Sequence, residues 1–399
     1  MTPGGGDGMV GMVDDDTDAA SASPQPAGRS VAQSARAASP STQSVRLVDV
    51  AAEAGVSPST VSRAFKNPDR VNPATVAQIR QAADRLGYVY RPYRKRPMRS
   101  SGIISLVVKD AAESSALLRG AQNEAYASGL AISVIESNRG SQWEVSFVEE
   151  IAETSRGVLI ASDRMDADRI AHLARRVPMV VLNRPSEAVS SIVPNVAAGT
   201  RQALSLLASN RHTDVAYVSG PDSWADRSRL HAVRSIGRSM GLTVHRIGPV
   251  ESSAQGGEQA ARALAAHGRE TGGPTAVIAY NDAMAAGMMA WFSQNGVRVP
   301  DDISVIAFDD SPISAVVRPQ LTTIAIPRAQ IGAVGVRALL RMSETGLYAL
   351  DSFGDADMAA LRLPDGCAPA GDGDVIALPT SLLVRESVGP ASDTTSAER

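Results

Sequence analysis

Apolar residues recur along this chain with two different periods, and the change of period marks its organisation. Leu47, Val50, Ala51 and Ala54 fall at i, i+3, i+4 and i+7, one stripe of an α-helix. Gly55 follows, where a helix end favours a residue that tolerates positive φ. Ser57 suits an N-cap and Pro58 a first helical position, because proline's missing N–H would go unpaired there anyway. A short second helix then runs to about Phe65, with Val61 and Phe65 inward and Ser59, Ser62 and Arg63 outward. Asn72 and Pro73 open a third helix whose stripe is Val76, Ile79, Ala83 and Leu86, closed by Gly87. Three striped helices can share one small core, and two short helices joined by a tight glycine turn match a helix-turn-helix.

From Gly102 the pattern changes to short apolar runs alternating with helical stretches. A first series predicts strands over 103–108, 131–136, 157–161 and 179–182, separated by helices over 116–128, 142–153 and 166–175. A second predicts strands over 214–219, 243–248, 276–280 and 304–308 among helices over 197–209, 227–240, 255–267 and 284–295. Such alternation builds doubly wound parallel sheets, and two series make two lobes. Ligands of such sheets bind beyond the carboxyl ends of the strands. There the chain places Lys109-Asp110, Asn183-Arg184, Gly220 to Trp224, Tyr280-Asn281-Asp282 and Phe308-Asp309-Asp310. These groups can hydrogen-bond and stack a sugar or a similar polar metabolite.

Charge separates the two parts. Eleven Arg and Lys stand against four acids between Val45 and Arg99, a balance of +7 within a chain whose net charge is −3. A basic module on an acidic body suits phosphate binding by the module alone. The single cysteine, Cys367, excludes an internal disulfide framework and fits a reducing cytoplasm. No run of eighteen apolar residues is present, so no membrane partner is expected. Residues 1–44 are rich in Gly, Ser, Ala, Pro and Asp without periodicity and read as a disordered tail, not a signal peptide, with Met9 and Met12 as alternative starts.

Leu47 to Phe65, then Val71-Asn72-Pro73-Ala74-Thr75, then Leu86-Gly87-Tyr88, resemble the headpiece of the lactose-repressor/galactose-repressor (LacI/GalR) family of transcriptional regulators. The likeness extends to about Ser387, through Ala276 to Asp282, Val299 to Val305, Phe308-Asp309-Asp310 and Leu321 to Ile324. It implies an all-α headpiece (45–90), a basic hinge (91–101) and a two-lobed α/β effector and dimerisation domain (102–387) akin to periplasmic sugar-binding proteins. Within that domain it implies a crossing back to the first lobe with a helix over 327–343 and a closing segment over 375–385, and residues 346–373 between them, rich in Gly, Asp and Ala, look like a loop insertion without a motif. Residues 388–399 read as a frayed tail.

In the family the second helix enters the major groove. Carried over, Pro58, Ser59 and Arg63 face base edges, while Ser57, Thr60, Ser62 and Asn67 position phosphates. Arginine can donate two hydrogen bonds to guanine, worth ~1–3 kcal/mol of discrimination. The family's hinge helix wedges a leucine into the minor groove. Here a basic run containing Arg94 and broken by Pro97 replaces it, with Met98 the nearest apolar wedge. Arg184, Arg229, Asn281 and Asp309 correspond to effector-contacting positions, Trp224 offers a stacking surface, and Asp282 reads as an N-cap.

The resemblance implies a homodimer on a near-palindromic double-stranded operator, with affinity set by a small effector such as a sugar. A solute-binding protein of a transport system is the alternative that the body alone would allow. Asp301-Asp302 and Asp309-Asp310 raise metal-assisted hydrolysis, but no His, Cys or carboxylate set with ligand spacing and no nucleophile–base pair accompanies them. The reading therefore calls for no enzyme activity, no metal and no cofactor.

Overall fold

In the computed structural model, described residues are 12–13, 47–66, 71–86, 88, 102–137, 150–151, 154–271, 273–370 and 374–392. The chain divides into two compact units, one holding the headpiece and the other the α/β body.

The headpiece consists of α1 (Leu47–Glu53), α2 (Pro58–Lys66) and α3 (Pro73–Leu86). Gly55 has φ 62°, and the Val56 N–H reaches the Ala51 carbonyl at 3.0 Å, so the end of α1 is closed by a left-handed residue. The Ser57 hydroxyl accepts from the Thr60 N–H at 3.2 Å and Asn72 Oδ1 from the Ala74 N–H at 2.9 Å, which caps α2 and α3 as predicted. Val50, Ala51, Ala54, Val61, Ala64, Val76, Ile79 and Ala83 form the shared core. One expectation fails: Ser62 is not outward but buried. It directly follows the core residue Val61 on a short helix packed against both neighbours, and serine is small enough to fit beside that stripe.

The body has two seven-stranded sheets. The first lobe is built on β2 (Ile103–Val108), β3 (Ala131–Glu136), β4 (Val158–Ala161), β5 (Met179–Leu182) and β6 (Ser191–Asn195), with β12 (Ala368–Ala370) and β13 (Val375–Pro379) added late in the chain. Their order is β12-β13-β6-β5-β4-β2-β3, parallel except for β12. Helices α4 (Ser115–Ala127), α5 (Ala167–Ala174) and α11 (Arg328–Thr345) belong to this lobe. The second lobe contains α6 (Val196–Ser209), β7 (Asp214–Val218), α7 (Trp224–Ser239), β8 (Thr243–Ile247), α8 (Ala254–Thr271) and β9 (Ala276–Ala279). It continues through α9 (Asp282–Gln294), β10 (Ser304–Asp309), α10 (Pro312–Val316), β11 (Thr322–Ala325) and β14 (Ser381–Leu383). There β8, β7, β9, β10 and β11 run parallel between antiparallel edges, β14 on one side and β1 (Met12–Val13) on the other.

The chain passes between lobes three times: from β6 into α6, from β11 into α11, and from β13 into β14. Thr380 ties two of these crossings. Its hydroxyl donates to the Asn195 carbonyl at 2.8 Å and accepts from the Gly199 N–H at 3.0 Å. The α4–α11 contact needs glycine: a Cβ on Gly120 would lie 1.9 Å from the Ala329 carbonyl oxygen. The two helix backbones therefore touch, and the head of α11 is fixed to the first lobe.

Four expectations are corrected. The strand β6 was not anticipated because Pro194 interrupts its apolar run. Its pairing with β5 stops at Ile192, so the missing N–H falls beyond that ladder. Residues 346–373 do not form a plain loop insertion. They include a short 3₁₀ turn (Leu350–Ser352), α12 (Asp355–Ala360) and β12, and Leu350 and Leu361 are buried in the core. The tail predicted from 388 is anchored as far as 392. Gly389 N–H donates to Ser304 Oγ at 3.1 Å, Ala391 N–H to the Asn210 carbonyl at 2.8 Å, and buried His212 lies 3.0 Å from the Gly389 carbonyl. Within the tail predicted over 1–44, Met12–Val13 pair with β8, opposite Ile247 and Arg246. The hinge with Arg94 and Met98, and Asn67, lie outside the described residues, as does most of the helix predicted over 142–153.

Candidate functional site

On the headpiece, α2 leaves Ser57, Ser59 and Arg63 exposed and Pro58 and Thr60 partly so. Ser57 Oγ lies 2.9 Å from Ser59 Oγ and 2.8 Å from Thr60 Oγ1. The N-terminus of α2 thus presents a set of connected hydroxyls one turn before the arginine. Helix N-termini and hydroxyls favour phosphate oxygens, and a free guanidinium can read a base edge.

In the body, four of the five predicted effector residues lie in the second lobe, and two of them, Arg229 and Asp309, are in direct contact. Asp309 ends β10 with φ 117°, a conformation rare for a side-chain-bearing residue and held here by its partners. Its Oδ1 accepts a hydrogen bond from Arg229 and forms an ion pair with Arg328, each at 2.8 Å. Burial alone would raise the Asp309 carboxyl, but Arg328 and Arg229 together hold it below its ordinary value. Arg229 is nearly sealed, its side chain 5% exposed. It donates to the Tyr280 carbonyl, and its guanidinium lies 4.6 Å from the Tyr280 ring centre and 4.8 Å from that of Phe308.

Asn281, next in the chain, caps α9: its Oδ1 accepts from the Met284 N–H at 2.9 Å. The cap predicted for Asp282 therefore belongs to Asn281. Asp282 is instead a buried tether. It accepts from Thr323 Oγ1 at 2.6 Å and from the Ser311 N–H at 2.5 Å, joining α9 to the segments after β10 and in β11. Burial, and next the charge of Asp309, push its carboxyl up to about 6. Trp224 opens α7 at the same edge of the sheet, half-buried, behind the Ser223 cap.

Arg184 stands on the first lobe, after β5. Its guanidinium donates to the Ser162 and Met165 carbonyls, both at 3.2 Å, and desolvation lowers its pKa. Among the described residues no hydrogen bond or ion pair joins it to the Asp309 group. Nearby strand ends also carry Arg164, whose Nη1 is buried without a hydrogen bond, and Asn183, whose Oδ1 is likewise unpartnered and whose φ is 65°.

Other polar strand-end residues have local work. Asp110 caps a turn through the Glu113 N–H, Asp310 pairs with Arg385 at 2.7 Å, and Asp222 pairs with Arg227. Asp301 and Asp302 both pair with Arg298. Sequence reasoning missed Arg328, since it opens a helix and follows no strand-end motif. The only available signal was its place directly after Pro327, at a lobe crossing.

A helix-turn-helix unit on the same chain as a two-lobed α/β body with polar strand ends points to the class of ligand-responsive DNA-binding proteins. Residues 46–90 match the bacterial regulatory proteins of the lacI family, and residues 204–348 match a periplasmic binding protein-like domain. The transcriptional regulator GalS of Salmonella typhimurium is 30% identical over 311 residues, 74% of this chain and 89% of its own length. The regulator MalR of Streptomyces coelicolor is 32% identical over 317 residues, again 74% and 89%. A solved lac repressor dimer bound to operator and the anti-inducer ONPF is 25% identical with TM-score 0.60, covering 86% of this chain and 99% of its own. The chain belongs to the lacI family of bacterial regulatory proteins, and it is a helix-turn-helix regulator of transcription.

Proposed function

We propose that this protein is a homodimeric repressor acting in the cytoplasm on a near-palindromic operator, and that a sugar or sugar derivative in the interlobe cleft controls its affinity. The observation that carries the ligand half is Asp309 at the carboxyl end of β10, paired with Arg229 of α7, which in turn donates to the Tyr280 carbonyl directly before Asn281. A carboxylate beside fixed guanidinium donors and aromatic rings suits hydroxyl-rich ligands. Solved relatives support this: one is the regulator CelR with cellobiose, another the lac repressor with ONPG. On the DNA side, Pro58, Ser59 and Arg63 face bases, and Ser57 and Thr60 hold phosphates. Ser62, being buried, is left out of the contact set. Asn67, Arg94 and Met98 complete the DNA contacts in this reading, the last two in the minor groove. Arg184 and Trp224 complete the cleft.

The test is recovery of genomic fragments bound by the purified protein, followed by titration with sugars. A shared near-palindrome upstream of sugar-uptake or catabolic genes, released by a sugar, is the expected result. Sequence-independent binding that only salt disrupts would remove the operator reading. Arg63→Ala should lower discrimination by about 10- to 100-fold at one base pair of each half-site, equivalent to ~1–3 kcal/mol, with sugar binding intact. Unchanged base preference would take Arg63 out of the reading role.

A further inference from the structure

We propose that Arg328 is an effector-contacting residue, and that it is the link by which occupancy of Asp309 reaches the first lobe. This rests on the cleft reading above. Three observations carry it. Asp309 is held by two arginines of unequal access: the Arg229 side chain is 5% exposed, Arg328 25%. Arg229 is wedged between Tyr280 and Phe308 with one nitrogen on the Tyr280 carbonyl, so it supports Asp309 from behind. Of the two arginines, Arg328 is the one open to a molecule in solvent.

The second observation is stoichiometric. Both guanidiniums use the same oxygen, Oδ1. Oδ2 still has acceptor capacity, and Arg328 has donors to spare on Nη1 and Nε. An acceptor oxygen beside a multi-donor cation suits two adjacent hydroxyls, one donating to Oδ2 and its neighbour accepting from the guanidinium. The class of ligand is thus a vicinal diol.

The third is mechanical. Arg328 is the first residue of α11, and the next residue, Ala329, has its backbone against Gly120 of α4. Arg328 therefore moves with the first lobe. Asp309 ends a strand of the second-lobe sheet and moves with that lobe. Their 2.8 Å ion pair spans the crossing from β11 into α11. A diol bridging the pair adds contacts only in the arrangement that keeps the two groups adjacent. That differential is what a ligand needs to shift a two-state equilibrium.

The test uses the full-length protein with glucose, galactose, maltose, cellobiose and lactose as probes in titration calorimetry. For the probe that binds, Arg328→Met should weaken binding ~10- to 100-fold, as for loss of a charge-assisted hydrogen bond. Arg328→Lys should recover most of it. Arg328→Met combined with Asp309→Asn should bind no worse than Asp309→Asn alone, because the two act as one unit. Affinity within twofold of wild type in Arg328→Met overturns the proposal. So does equal loss of binding and of thermal stability in Arg328→Lys, which would make Arg328 purely structural. If no probe binds the wild type, amide exchange decides. Arg328→Met should then speed exchange several-fold at Ile326 and Thr380, where the lobes cross, with β9 and β10 unchanged, and unaltered exchange overturns the link.

Discussion

The two lobes have related sheets, yet their strand ends are finished differently. In the second lobe the charged groups of the candidate site are engaged by other parts of the fold: Asp309 by two arginines, Asp282 by Thr323 and Ser311, Arg229 by a carbonyl and two rings. In the first lobe, among the described residues, Arg184 donates only to backbone carbonyls, with the charge of Asp163 nearby. Buried polar atoms without a hydrogen bond occur in both lobes, on Arg164 and Asn183 in the first and on Arg229 and Thr200 in the second. The contrast is one of charge: the second lobe pairs its buried carboxylate and guanidinium with each other, whereas the first-lobe guanidinium meets carbonyl dipoles, and in the function proposed above this makes the second lobe the preformed floor of the site.

The largest test of that contrast removes the floor's central carboxylate. Asp309→Ala leaves Arg229 nearly sealed with its charge uncompensated, and breaking such a pair costs about 3–5 kcal/mol. Denaturant unfolding of the protein without sugar should show that loss. A cost below about 1 kcal/mol would mean that the floor is not preformed and that the two lobes are alike.

The next test concerns protons. Asp282 keeps its proton up to about pH 6 in the folded protein, while its ordinary value is 3.8. The folded state thus binds this proton more tightly than the unfolded one. The contribution is fully present below the ordinary value and is lost as pH rises from about 4 to about 6. Relative to Asp282→Asn, the wild type should lose on the order of 2–3 kcal/mol across that window. A difference between the two proteins that stays flat from pH 4 to 7 would show that Asp282 is ionised throughout and that its two donors outweigh burial.

Much of this was legible in the sequence. The three headpiece helices, their caps and the strand–helix alternation follow from local period and from Gly, Pro and Asn chemistry, which short windows contain. Asp309, Arg229 and Asn281 stand out as candidates in the sequence because each sits at or after a strand end or at a position matched to the family. What escaped depended on long-range pairing. Whether Asn281 or Asp282 caps α9 was settled by Thr323 and Ser311, which claim Asp282 from 41 and 29 positions away. Arg328 meets Asp309 only because the chain crosses lobes between them. The segment over 346–373 has no strong period, since its helix is six residues long and its order comes from packing Leu350 and Leu361 against a core made elsewhere.

The smallest effect is expected on the first lobe. Asn183 holds a left-handed φ of 65° and a buried Oδ1 without a hydrogen bond. Asn183→Gly removes both the backbone strain and the unpaired acceptor, and it adds freedom to the unfolded chain, which opposes those gains. The terms nearly cancel, so stability without sugar should move by less than ~0.5 kcal/mol in either direction. The same substitution should weaken sugar binding, since the acceptor that the ligand would have satisfied is gone. A stability loss above about 2 kcal/mol would show that Asn183 is already committed to the fold, and the first lobe would then be as finished as the second.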